Sequence, residues 1–258
     1  MASSTQSLSL RSAVLGLLDR GRLEEKIFFV HIPKCGGVSI SNAIARQYGL
    51  GARLGRNAFN VDPAASSRAA REFGSDTQEF RRYITRYAAS LQEVRYLSGH
   101  VQFGVDALPE EWHLVTVLRD PVEKWFSQYF YNRYKASQHS RVEQDLEEFV
   151  TTPAAREYGE DYLRYLGSWR CREALSVEHA AANLKRFSVV GVLEELDSFA
   201  AAFRRRFGVS LRIPRRNSNP VPRRVREEMV AEGVRRKVEE LCRPNRAVYE
   251  EARRLVRL

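Results

Sequence analysis

Lys26-Ile27-Phe28-Phe29-Val30-His31-Ile32-Pro33-Lys34-Cys35-Gly36-Gly37-Val38-Ser39-Ile40 is the stretch that decides the fold. Lys26 to His31 is a compact apolar run set between charge and proline, the pattern of a buried strand. A turn with two glycines follows, and Ile40, Ile44 and Tyr48 then recur at helical spacing. A strand that runs through a glycine turn into a helix aims backbone N–H groups and the positive helix end at whatever sits above the turn. Lys34 adds a point charge, and Ser39 a hydroxyl that can donate to an oxyanion. This is not the nucleoside-triphosphate loop, in which Lys and Ser/Thr follow the glycines, because Lys34 precedes Gly36 and Gly37. Taken alone, the turn fits an anion site and a ligand-free connection equally well.

The same kind of junction recurs further along. Val94 to Ser98 reads as a short strand ending at Gly99-His100, and Leu114 to Leu118 as another buried strand. Asp120-Pro121-Val122-Glu123 then supplies an N-cap, a proline at the first helical position and an acid three residues past the cap. The helix that starts there carries Trp125, Phe126, Tyr129, Phe130 and Tyr134, whose spacing fits a buried face better than a sugar-stacking platform. Glu123 and Glu194 read as cap or ion-pair residues. Further helices are predicted over 77–91, 142–150, 156–170, 177–186 and 194–207, with a last strand over 187–190. Residues 49–76 read as loop or short helices, 208–222 as a Pro-, Arg- and Asn-rich loop, and 223–257 as two basic helices. Strands alternating with helices predict an α/β fold with a central parallel sheet flanked by helices. Residues 1–25 read as a polar leader and 26–258 as one domain.

Composition narrows the chemistry. The 258 residues carry 42 Lys+Arg and 32 Asp+Glu, a formal charge of +10. All of that excess lies in 204–258, with 17 Lys+Arg against 7 Glu, while 1–203 is formally neutral. Anion binding by the two strand-to-helix junctions therefore depends on a few placed groups rather than on bulk charge. Cys35, Cys171 and Cys242 are too few and too scattered for a disulfide framework or a zinc site, and no metal-ligand cluster is expected. No apolar run approaches a membrane span and no signal peptide is evident, so a soluble, cytoplasmic protein is expected. No nucleic-acid motif is present.

Arg119 stands where a strand ends, the place at which ligands collect in open α/β sheets, and a guanidinium there can grip a phosphate with paired N–H donors. Ser127, eight residues on, can add a hydroxyl from the adjoining helix. The alternative is an Arg–carboxylate pair bracing the turn. Read together, HIPKCGGVSI (31–40) and LRDPVEKWFSQYFY (118–131) resemble the two donor-binding segments of the carbohydrate sulfotransferases, in particular the branch of the heparan sulfate 2-O- and 6-O-sulfotransferases and their bacterial relatives. Ser98-Gly99-His100-Val101, Val190 to Leu196, an Arg/Asn/Ser loop at 215–218 and Tyr249-Glu250-Glu251-Ala252 follow in family order.

The resemblance implies a P-loop-like sulfotransferase fold and 3′-phosphoadenylyl sulfate (PAPS) as donor, with a glycan or another hydroxylated molecule as acceptor and no metal. It implies that Lys34, Cys35, Gly36, Gly37, Val38 and Ser39 wrap the 5′-phosphosulfate. Arg119 and Ser127 hold the 3′-phosphate, and Arg215, Asn217 and Ser218 close over the nucleotide. His100 becomes the catalytic base and Lys34 the catalytic cation; a histidine of ordinary pKa can take a hydroxyl proton near neutrality. His31 is expected to pack beneath the loop. Cys35 and Val38 stand where the family usually has Thr; the first change costs little if the backbone N–H is the donor, while the second loses a hydroxyl contact. The rival readings are a nucleotide-dependent kinase-like phosphotransferase and a non-catalytic module that binds polyanions through 204–258.

Overall fold

The computed structural model describes residues 23–102, 108–167, 175–214 and 219–257. Five strands form one sheet: β1 (Lys26–Val30), β2 (Ala58–Val61), β3 (Tyr96–Gly99), β4 (Trp112–Leu118) and β5 (Val189–Val192). Their order is β2-β3-β1-β4-β5 and every pairing is parallel. The helices that carry the argument are α1 (Gly37–Ala45), α2 (Gly49–Arg53), α3 (Pro63–Glu72), α4 (Thr77–Ser90) and α5 (Pro121–Tyr134). After them come α6 (Leu146–Phe149), α7 (Pro153–Gly159), α8 (Asp161–Leu166), α9 (Val177–Leu184) and α10 (Leu196–Phe207). The chain continues with α11 (Arg223–Glu228), α12 (Glu232–Leu241) and α13 (Arg243–Arg257).

The apolar run of β1 explains its central place. Side chains alternate across a strand, so Phe28 and Val30 enter one core with α8, α9 and α13, while Ile27 and Phe29 enter the other with α1 and α10. A strand buried on both faces belongs in the middle of a covered parallel sheet. A third apolar cluster lies outside the sheet, where Trp125, Phe126, Tyr129 and Phe130 of α5 meet Phe149, Ala155 and Val238. The aromatic helix is thus core, apart from Tyr134, which is 44% exposed.

Three readings of the sequence need correction. The stretch 49–76 contains β2, an edge strand whose Phe59 and Asn60 face solvent, so it lacks the apolar run that marks the inner strands. The helix read over 156–170 is, as far as the described residues reach, parts of two helices that meet at Gly159 and Glu160, and 168–170 lie outside the described residues; a Cβ on Gly159 would stand 2.3 Å from the Leu241 carbonyl oxygen. The basic C-terminal segment holds three helices rather than two, because Met229 to Ala231 separates α11 from α12. Among the described residues no helix is long and apolar enough to cross a membrane.

Candidate functional site

Chain direction places the site. β1 connects toward β2 and β3 while β4 connects toward β5, so the chain reverses its direction of winding between β1 and β4, the usual ligand position in such sheets. The segment after β1 is held to β3 by the His31 N–H donating to the Gly99 carbonyl at 3.1 Å. It then turns through two residues in the left-handed region, Lys34 (φ 65°) and Gly36 (φ 74°), before α1 begins. For Lys34 that conformation is strained, and it recurs at ligand clamps. Gly36 caps α1 without a side-chain bond, so no side chain there competes for the first N–H groups. Gly37 permits a close approach: a Cβ there would lie 1.9 Å from His31 Cδ2. His31 is thus packed beneath the loop, as expected.

The loop side chains divide by direction. Cys35 is buried, its Sγ 3.6 Å from the Pro33 carbonyl and 3.7 Å from Tyr162 Oη, and burial pushes its thiol up to about 11. Its side chain therefore belongs to the core. Val38 is 68% exposed. Ser39 is half-buried on the first turn of α1. The Lys34 ammonium sits 3.7 Å from the centre of the Tyr131 ring. Burial, then the charges of Arg119, Arg226 and Lys135, bring its pKa down to about 8.

Arg119 faces this loop from the end of β4, its Nη1 donating to the Lys34 carbonyl at 3.4 Å. Its guanidinium has no carboxylate partner among the described residues, so none of them forms the Arg–carboxylate pair that could brace the turn. The turn is braced through its backbone instead. Tyr162 Oη accepts from the Arg119 N–H at 2.9 Å and donates to the Arg119 carbonyl. The Asp120 carboxylate accepts from the N–H groups of Val122 and Glu123 and pairs with Arg246 at 3.1 Å. Glu194 accepts from the Asp120 N–H and from Tyr249 Oη, so it is a structural acceptor. Ser127 is buried on α5, its carbonyl accepting from Asn219 Nδ2 at 3.2 Å. Arg215, Asn217 and Ser218 lie outside the described residues.

His100 leaves the end of β3. Arg81 Nη1 donates to its carbonyl at 3.1 Å, while the rest of that guanidinium bonds Ser66 Oγ, Ser67 Oγ and the Pro63 carbonyl. The His100 ring stands nearly perpendicular to His31, with centroids 4.3 Å apart. The expectation of an ordinary pKa is wrong. Burial, then the charges of His31, Arg81, Lys34 and Lys124, hold His100 well below the usual histidine value. His31 is pushed down to about 4 by burial and by Lys34. Both rings are neutral at physiological pH.

The structure thus gathers the 34–39 loop, Arg119 and His100 at the carboxyl ends of β1, β4 and β3. Sequence reading missed Tyr162, Arg81, Tyr131 and the buried Lys124–Asp161 pair, whose partners are far apart in the chain. Tyr162→Phe removes the group that bonds both backbone atoms of Arg119, and is expected to lower stability by about 1–3 kcal/mol in denaturant unfolding. A groove of about 390 Å³ opens elsewhere, beside β5 between Lys185, Phe187, Arg205 and Val256, and shares no residue with this site. Among the described residues no group of three or more His, Cys, Asp and Glu side chains is placed to hold a metal ion. No protein-family model matches the chain, and no curated protein matches it.

Proposed function

We propose that the protein is an O-sulfotransferase with a P-loop-like sulfotransferase fold, moving a sulfuryl group from PAPS to a hydroxyl of a glycan or another hydroxylated acceptor. One observation carries this reading: the ammonium of a glycine loop, an arginine and a neutral histidine converge at three adjacent strand ends, and neither cation has a carboxylate partner among the described residues. Two such cations suit a ligand with two anionic ends, and a neutral imidazole beside them suits removal of a hydroxyl proton. The loop N–H groups and Lys34 would bind the 5′-phosphosulfate, and Arg119 with Ser127 the 3′-phosphate.

In the transfer, the acceptor oxygen attacks sulfur as the bond from sulfur to the bridging oxygen breaks. The hydroxyl proton passes to His100, and adenosine 3′,5′-bisphosphate leaves with the bridging oxygen. Lys34 and the loop N–H groups stabilise the charge that grows on that oxygen. Cys35 costs the site nothing in this reading because its side chain is turned inward. The low pKa of His100 keeps the imidazole ready as a base but makes the imidazolium hard to form alone, so the bound anion must stabilise it in the transition state.

Calorimetry with adenosine 3′,5′-bisphosphate tests donor recognition, and transfer of labelled sulfate from PAPS to a panel of glycans and small hydroxylated compounds tests the reaction. Absence of binding overturns the reading. The pH profile adds a sharper expectation. The acidic limb of kcat/KM should lie below 6.5, because His100 stays neutral to lower pH than a free histidine. Donor binding should weaken as pH rises past about 8, where Lys34 loses its proton. An acidic limb above 6.5 counts against His100 as the base.

A further inference from the structure

Three cations set on different elements disfavour the charge of the Lys34 ammonium: Arg119 at the end of β4, Arg226 on α11 and Lys135 at the end of α5, with Cys35 opposing them more weakly. It makes no ion pair or side-chain hydrogen bond among the described residues; its partner is the face of Tyr131, 3.7 Å away. Lys135 lies 5.6 Å from the same ring and is held by donating to Asn132 Oδ1 at 2.8 Å. The Tyr131 hydroxyl makes no hydrogen bond among the described residues, so the ring face is what this side chain contributes.

We propose that Tyr131 is a positioning residue for the donor: its ring holds the Lys34 ammonium charged and aimed over the anion loop until a phosphosulfate takes its place as partner. This rests on the sulfotransferase reading. The physical case is a choice between partners. A carboxylate would also hold the cation, but it would then compete with the donor and add a repelling charge at the site. A ring quadrupole attracts an ammonium without carrying net charge, so it opposes the repulsion from three neighbouring cations and still releases the ammonium to an anion. The left-handed backbone at Lys34 fixes where the side chain departs, and the ring fixes where it ends.

The test uses the full chain labelled with 13Cε-lysine, Lys34 being assigned with Lys34→Arg and its midpoint read from the Cε shift. Removing the ring destabilises the ammonium, so Tyr131→Leu should lower the midpoint by at least about half a pH unit, whereas Tyr131→Phe should leave it in place. In calorimetry with adenosine 3′,5′-bisphosphate, Tyr131→Leu should raise Kd about fivefold or more and shift the high-pH loss of binding downward, while Tyr131→Phe stays within about twofold. An unchanged midpoint in Tyr131→Leu, or a phenylalanine variant as damaged as the leucine one, overturns the assignment. Should the leucine variant fail to fold, Tyr131→Trp carries the test: its stronger face should raise the midpoint, and an unchanged or lowered one overturns the proposal. A wild type that does not bind the bisphosphate overturns the sulfotransferase reading and the donor role with it. A wild type that binds, beside a leucine variant that titrates and binds identically, overturns the Tyr131 assignment alone.

Discussion

His100→Ala is expected to slow sulfate transfer about 10²–10⁴-fold, the usual contribution of a positioned general base. The affinity for adenosine 3′,5′-bisphosphate should stay within about twofold, because in the proposed reaction the imidazole serves the acceptor side while Lys34 and Arg119 serve the donor. The split between the two readouts matters. His100 packs edge-on against His31, and His31 packs on Gly37, so a merely structural role would disturb the anion loop and weaken donor binding as much as turnover. Imidazole added to the assay should restore part of the lost rate by occupying the space left by the ring. Turnover near the wild-type level would end the base assignment, and equal losses in binding and turnover would make His100 a packing residue.

The second large effect concerns stability. Lys124 is fully buried on α5, with its ammonium bonded to Asp161 and to Gln128 Oε1. Asp161→Ala leaves that charge in the interior without its counter-ion, and should cost about 3–5 kcal/mol in denaturant unfolding. The double variant Lys124→Met/Asp161→Leu should recover most of the loss, because an apolar pair removes both desolvation penalties together. If Asp161→Ala costs no more than an exposed substitution, the pair is not what holds α8 against α5. Its place is informative: Lys124 also contributes to the field that lowers the pKa of His100, so the charge that ties two helices together acts on the proposed base.

How much of this was legible depends on how far apart the partners lie. The strand, turn and helix at 26–48, and the strand, cap and helix at 112–134, are each written in contiguous residues, so both junctions and their N-cap could be read directly. β2 could not, because a four-residue edge strand with two side chains in solvent has neither alternation nor an apolar run. The bracing of Arg119 by Tyr162 spans 43 residues, and the seating of His100 by Arg81 spans 19. Neither leaves a periodic trace. His100 itself was singled out by the resemblance rather than by periodicity, and its pKa shift was illegible because it comes first from burial and then from charges on the segment after β1, on α4 and on α5. The closing loop at 215–218 lies outside the described residues.

The bracing of the Arg119 turn also has a consequence in time. Asp120 is joined to Glu194, 74 residues later, and to Arg246, 126 residues later. At roughly 5–20 residues per second of synthesis, the last of these partners leaves the ribosome about 6–25 s after the turn it holds. Through that interval the nascent chain carries both strand-to-helix junctions without the helix that steadies one of them. The proposed donor site is therefore completed late in biogenesis, and because Val248, Tyr249 and Ala252 of α13 share the buried core with Phe28 and Val30 of β1, shortened chains that end before α13 should lose stability and donor binding together.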